Sequence, residues 1–158
     1  HPEMKLVIAP HVVSDSHLKE ILDKVKRPCI RYTEATEENV TQADCLIIDC
    51  YGLLSSIYRY GEISYIGGGF GVGIHNVLEA AVYGIPVIFG PNNKKFREAQ
   101  HLLEQKGGFE VTGYDDFKRL MDKFLSDEAY LQQAGKAAGN YVNHNAGALE
   151  KIMKDITL

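Results

Sequence analysis

The chain has 158 residues, 45% of them apolar and 24% charged, with a net charge of −4 at neutral pH. That is enough chain for one domain with a sizeable core and an ordinary globular composition. The acidic balance gives no reason to expect nucleic acid as a partner, and no apolar run approaches the roughly 18–20 residues that cross a bilayer.

Residues 5–9 read as a first strand that ends at Pro10-His11, and Ser14 or Asp15 caps a helix to about residue 25. Leu18, Ile21, Leu22 and Val25 form the apolar stripe of that helix. A short strand follows at 29–32, then a polar, weakly helical stretch at 36–42. Residues 45–49 read as a third, buried strand, and Cys50-Tyr51-Gly52 turns into a helix through residue 60. The centre of the chain comes next: a strand at 62–66, a glycine-rich turn at 67–73, a helix from about His75, and a buried strand at 87–89 that ends in the turn 90–93. Residues 96–105 are helical, with Phe96, Ala99, Leu102 and Leu103 on one side; Gly107-Gly108 ends that helix before a last short strand at 109–112. Helices then start at Asp115 or Asp116, carrying Phe117, Leu120, Met121, Phe124 and Leu125, and continue at 127–141 and 146–156, the last with Leu149, Ile152, Met153 and Ile156 as its apolar face.

The opening His1-Pro2-Glu3 has no initiator methionine and no signal-peptide pattern, as expected of a piece of a longer protein. Cys29, Cys45 and Cys50 are odd in number, form no C-x-x-C pair and read as free thiols of a reducing cytoplasm. Neither they nor the six histidines show metal-ligand spacing.

Strand and helix alternate, so the fold class is α/β: a Rossmann-like parallel sheet with helices on both faces and right-handed crossovers. Ligands of such sheets collect at the carboxyl ends of the strands. The turns at 10–11, 50–52, 67–73 and 90–93 all belong to that edge and together mark a site.

Five of the seven residues in 67–73 are glycine, which frees the backbone for positive φ and lets a ligand approach closely. A helix starting at His75 would turn its first amides toward that turn and favour an anion there. Asn76, Glu79 and Tyr83 then share one helix face, while Ala80 and Ala81 keep the neighbouring face thin enough to pack on a sheet. A carboxylate one turn inside the helix suits a ribose diol better than a phosphate, so the stretch points to a nucleotide. It is not a Walker loop, because Gly73 is followed by Ile74 and His75, and 69–74 lacks the dinucleotide-binding spacing. Simpler roles stand beside these: Asp49 stabilises its turn, Tyr51, Tyr58, Tyr60 and Tyr65 pack or face solvent, and His1, His17, His101 and His144 are surface residues.

Taken together, these residues resemble the C-terminal half of a GT-B glycosyltransferase. More closely, the chain is similar to the bacterial 3-deoxy-D-manno-octulosonic acid (Kdo) transferases of lipopolysaccharide biosynthesis. The specific pieces are Gly67-Gly68 followed by His75-Asn76-Val77-Leu78-Glu79, then Ala81, Gly84-Ile85-Pro86-Val87, Gly90-Pro91, and Asn145-x-Gly147-Ala148-Leu149 in the tail. The resemblance runs over nearly the whole chain and is densest from Asp49 to Phe96.

The resemblance implies that residues 1–158 are a single donor-binding domain, with CMP-Kdo as the donor. It implies CMP contacts at Pro10 and His11, at Gly52, Leu53 and Leu54, and at Asn76, Val77, Leu78 and Glu79; the glycine turn adds Gly68, Gly69 and His75. The family often has Arg-His in place of Pro10-His11, Gly-Glu in place of Gly52-Leu53, and Asn-Pro-Leu-Glu in place of Asn76-Val77-Leu78-Glu79. Lys94, Lys95 and Arg97 are candidates to replace the lost arginine, Lys95 foremost. No metal and no cofactor is expected. The acceptor is a lipid A precursor at the cytoplasmic face of the inner membrane. The family's catalytic glutamate base, its acceptor site and its membrane anchor lie in an N-terminal half that this chain lacks, so the chain alone is expected to bind donor weakly, to transfer nothing and not to span a membrane. Two alternatives stand: a GT-B relative using a UDP-sugar, as transferase or epimerase, and a non-catalytic flavodoxin-like binding domain.

Overall fold

A computed structural model describes residues 1–147, and the chain divides into two compact units, His1–Ile57 and Tyr58–Leu158. The fold is α/β, and each unit contains a three-stranded parallel sheet.

In the first unit β1 (Leu6–Ile8), β2 (Cys29–Arg31) and β3 (Cys45–Ile47) run in the order β1-β3-β2, with Leu6 and Cys29 both opposite Cys45. β3 is central, and Cys45 and Ile47 are fully buried, whereas Leu6 and Val7 on the edge strand β1 are exposed. Helix α1 (Asp15–Lys24) begins where the Ser14 hydroxyl accepts from the His17 amide at 3.3 Å. Its Leu18, Ile21 and Leu22 cover Cys45 and Ile47. The strand expected at 29–32 stops at Arg31, since Tyr32 starts a single 3-10 turn. The polar stretch 36–42 yields only a 3-10 turn, Val40–Gln42, because Thr36 and Asn39 tie side chain to backbone and compete with a helix. The short α2 (Leu54–Ile57) passes into a 3-10 turn at Tyr58–Tyr60. All three cysteines are free.

In the second unit β4 (Ser64–Ile66), β5 (Val87–Phe89) and β6 (Gly108–Glu110) pair in sequence order. β5 is central and wholly buried. The register places Tyr65, Ile88 and Phe109 on one face of this sheet. There α5 (Tyr114–Ser126) packs Phe117 on Tyr65 and Phe124 on Phe109. The opposite face, with Ile66, Val87 and Phe89, meets α3 (Leu78–Ala81), α4 (Arg97–Glu104) and α6 (Glu128–Asn145) through Ala80, Ala81, Ala99, Leu102, Ala138 and Tyr141. Small residues permit the close approach of α6: a Cβ on Gly135 would lie 2.2 Å from the Gly84 carbonyl oxygen.

Four expectations change here. The helix expected from His75 starts three residues later, at Leu78, and has only four residues. Ile74 and Val77 are held in the core, the Asn76 side chain caps the Leu78 amide, and Gly84 at φ 70° closes the other end. β4 is not buried on both faces, since Tyr65 on this edge strand is 46% exposed. His101, like His17, is only partly exposed, and its Nδ1 lies 3.2 Å from the Tyr141 hydroxyl. Helix α6 runs to Asn145, past the expected end at 141, and Ala146 is extended at its C-cap; the rest of the helix expected at 146–156, and the tail motif from Ala148, lie outside the described residues. Among the described residues no helix is long and apolar enough to cross a membrane.

Candidate functional site

The glycine turn after β4 is closed by its own backbone. Gly68 sits at φ 90°, and its carbonyl accepts from the amides of Gly71 (2.9 Å) and Gly73 (3.2 Å). A Cβ on Gly68 would meet the Gly73 carbonyl oxygen at 2.2 Å. The His75 amide returns to the Gly67 carbonyl at 3.1 Å, and its imidazole, on an exposed residue, lies beside Gly67.

The turn after β5 touches the glycine turn directly. Gly69 and Gly90 pack backbone to backbone, with room for a Cβ on neither. Asn92 donates from its amide to Gly69 O (2.9 Å) and from Nδ2 to Gly71 O (2.6 Å). Asn93, only 1% exposed, anchors the same turn: Nδ2 donates to Gly90 O (2.9 Å) and Glu110 Oε2 (2.7 Å), and Oδ1 accepts from Gln100 Nε2 (2.6 Å). Lys94 and Lys95 follow on the exposed part of the turn, ahead of Phe96, whose ring fills the space beside Gly73.

Asn76 and Glu79 form one polar unit next to this pair of turns. Asn76 Nδ2 donates to Glu79 Oε1 at 3.0 Å while Asn76 Oδ1 accepts from the Leu78 amide at 3.0 Å. This orients the Glu79 carboxylate, on a half-exposed residue. Burial, with the Glu79 charge as a second cause, pushes the Tyr58 phenol above its ordinary range. Val77 is 3% exposed and Leu78 packs against the same core, so these two positions offer a ligand backbone rather than side chain. With α3 limited to four residues, the anion site expected at a helix start has no helix of useful length behind it.

In the first unit Pro10 and His11 follow β1, and Gly52, Leu53 and Leu54 follow β3, so neighbouring parallel strands send both segments from one edge of their sheet. His11 and Leu54 are exposed, while Pro10 and Leu53 are half-buried. Gly52 takes φ 90° with nothing near its missing Cβ, so its role is conformational. Burial raises the Asp49 carboxyl, but hydrogen bonds from the Thr33 hydroxyl (2.6 Å) and amide (3.0 Å) outweigh it and hold the group low. Asp49 therefore fastens its turn.

The turn at 90–93 is legible in the sequence, but the side-chain roles of its Asn92 and Asn93, and those of Gln100 and Glu110, are not. Not legible there either is a cavity of about 430 Å³ lined by Tyr65, Phe70, Val111, Gly113, Tyr114 and Phe117. Among the described residues no group of three or more His, Cys, Asp or Glu is placed to hold a metal ion.

No family model matches the chain. Among curated proteins, the 3-deoxy-D-manno-octulosonic acid transferase of Aquifex aeolicus is 31% identical over 128 residues, covering 80% of this chain and 35% of its own length. The transferase of the same name from Haemophilus influenzae is 29% identical over 159 residues, covering 97% of this chain and 36% of its own. Among solved structures, the C-terminal CMP-Kdo binding domain of WaaA from Acinetobacter baumannii superposes with a TM-score of 0.67 at 17% identity, over 90% of each chain. Sucrose-phosphate synthase from Thermosynechococcus elongatus gives 0.53 at 12% identity, over 99% of this chain and 47% of its own. The chain spans about a third of the length of the curated relatives it matches. It is a homologue of the 3-deoxy-D-manno-octulosonic acid transferases and has the fold of that CMP-Kdo binding domain.

Proposed function

We propose that the chain is the donor-binding domain of a Kdo transferase and holds CMP-Kdo. The observation that carries this reading is the Asn76–Glu79 pair beside two interlocked glycine turns, in a chain homologous to Kdo transferases. Glu79, oriented by Asn76, accepts from the ribose hydroxyls. The backbone of the glycine turn at Gly68 and Gly69, His75, and the Lys94 and Lys95 ammonium groups serve the phosphate, with Lys95 the foremost cation. Pro10, His11, Gly52, Leu53 and Leu54 belong to the cytidine side. As the acceptor hydroxyl attacks the anomeric carbon, CMP leaves, and these cations stabilise the charge gathering on its phosphate. The scheme uses no metal.

The acceptor in this reading is a lipid A precursor at the cytoplasmic face of the inner membrane, in lipopolysaccharide core synthesis. In this reading the base that deprotonates its hydroxyl belongs to the part of the relatives that this chain does not span.

The test is an NMR titration of the chain with CMP, UMP and UDP, repeated on Glu79→Ala and Glu79→Gln. CMP-selective shifts over residues 67–79 are expected, weakened in Glu79→Ala by about ten- to a hundredfold, the equivalent of a charged hydrogen bond of roughly 1.5–3 kcal/mol. Glu79→Gln keeps an acceptor and falls between. A stronger response to UDP transfers the assignment to a UDP-sugar enzyme. No response to any of the three from the folded chain refutes donor binding by this domain alone.

A further inference from the structure

We propose that Asn92 is a positioning residue for donor binding: its side chain clasps the outer limb of the glycine turn and keeps it in the ligand-ready conformation. The proposal rests on the donor reading above.

A turn with five glycines among seven residues has much intrinsic backbone freedom, and a ligand that must order it binds more weakly. The turn's own bonds, from the Gly71 and Gly73 amides to Gly68 O, close it on itself. They do not tie its outer limb to the sheet. Asn92 does, because Nδ2 reaches Gly71 O at 2.6 Å while its amide holds Gly69 O at 2.9 Å. The anchor at the other end is firm: Asn93, buried and bonded to Gly90, Glu110 and Gln100, fixes the turn that carries Asn92. Rigidity built in the core is thereby passed to an exposed loop.

Asn92 itself is exposed, so removing its side chain leaves no buried group without a partner. Its loss should show in local order and affinity rather than in global stability. In the 158-residue chain, Asn92→Ala and the isosteric Asn92→Asp are expected to speed amide exchange at Gly71 and Gly73 by about three- to tenfold and to weaken CMP binding by a similar factor, with the melting temperature unchanged. Asn92→Gln keeps the amide donor and stays closer to wild type on both measures. Unchanged exchange at Gly71 and Gly73 in Asn92→Ala overturns the clasp. Faster exchange with undiminished CMP affinity overturns its part in donor binding. A wild-type chain that binds no CMP refutes the donor reading and the positioning role with it, while exchange in the ligand-free variants still decides whether the clasp orders the turn.

Discussion

Asn93→Ala should be among the most damaging single changes to this chain that leave its apolar core untouched. The wild-type side chain makes three hydrogen bonds, at 2.6, 2.7 and 2.9 Å, and is 1% exposed. At roughly 1 kcal/mol for each bond, and about 1 kcal/mol more for a buried Gly90 carbonyl losing this donor, the loss is about 3–4 kcal/mol. In a protein of this size that lowers the melting temperature by about 10 °C. Urea and thermal denaturation measure it, with Asn93→Asp as the companion. The aspartate would bring a second carboxylate against Glu110 in a buried place, so its folded-state pKa is raised. A group raised in this way stabilises the fold below its unfolded pKa and loses that contribution as pH rises through the folded one. Asn93→Asp should therefore regain stability on acidification from about pH 7 to pH 4, relative to Asn93→Ala. A loss under about 1 kcal/mol in Asn93→Ala, or no relative gain by the aspartate in acid, would refute the buried network as the anchor of this turn.

Within the glycine turn, Gly69→Ala would drive a Cβ to 2.6 Å from the Gly90 backbone and should cost about 2–4 kcal/mol in denaturant titration, whereas Gly71→Ala, whose nearest neighbour is a carbonyl oxygen 3.6 Å away, should change stability by less than about 1 kcal/mol. Cys45 should resist a thiol reagent in the native protein and react on unfolding, because burial foremost, then the Cys29 thiol beside it, pushes its pKa up to about 12. Since the folded pKa is the higher one, that contribution is intact below about pH 9 and is lost as pH rises toward about 12; the corresponding alkaline decline in the urea midpoint should be shallower in Cys45→Ala.

The α/β class was legible because alternation and burial act locally: β5 is a short apolar run between turn signals, and Ser14 with Leu18, Ile21 and Leu22 declares α1. The helix at 78–81 was misjudged by three residues because its periodicity is genuine but tertiary packing claims part of it. Ile74 and Val77 satisfy a helical stripe and a buried irregular segment equally well, and only the fold shows that Asn76 bonds the Leu78 amide from outside the helix. Nothing in the sequence announces that β3 lies between β1 and β2, since pairing depends on residues far apart in the chain. The partnership of Asn93 with Gln100 and Glu110 was hidden for the same reason: three polar residues, of which only the fold shows that one is buried.

The glycines of the central turn divide by task. Gly69 and Gly73 are packing glycines, closed off by Gly90 and Phe96, so their identity belongs to the joint between the β4 and β5 turns. Gly68 is conformational, holding a positive φ that closes the turn over its own carbonyl. Gly71 alone among the five is exposed and unhindered, and it is the one Asn92 clasps through its side chain. A loop fastened by its buried glycines can leave Gly71 exposed without becoming slack. Pro10, Leu53 and Val77 all lie outside this joint, which is made of backbone, the Asn92 side chain and the Phe96 ring. Lys94 and Lys95 stand exposed on the adjoining turn, carried by a framework that this joint holds in place.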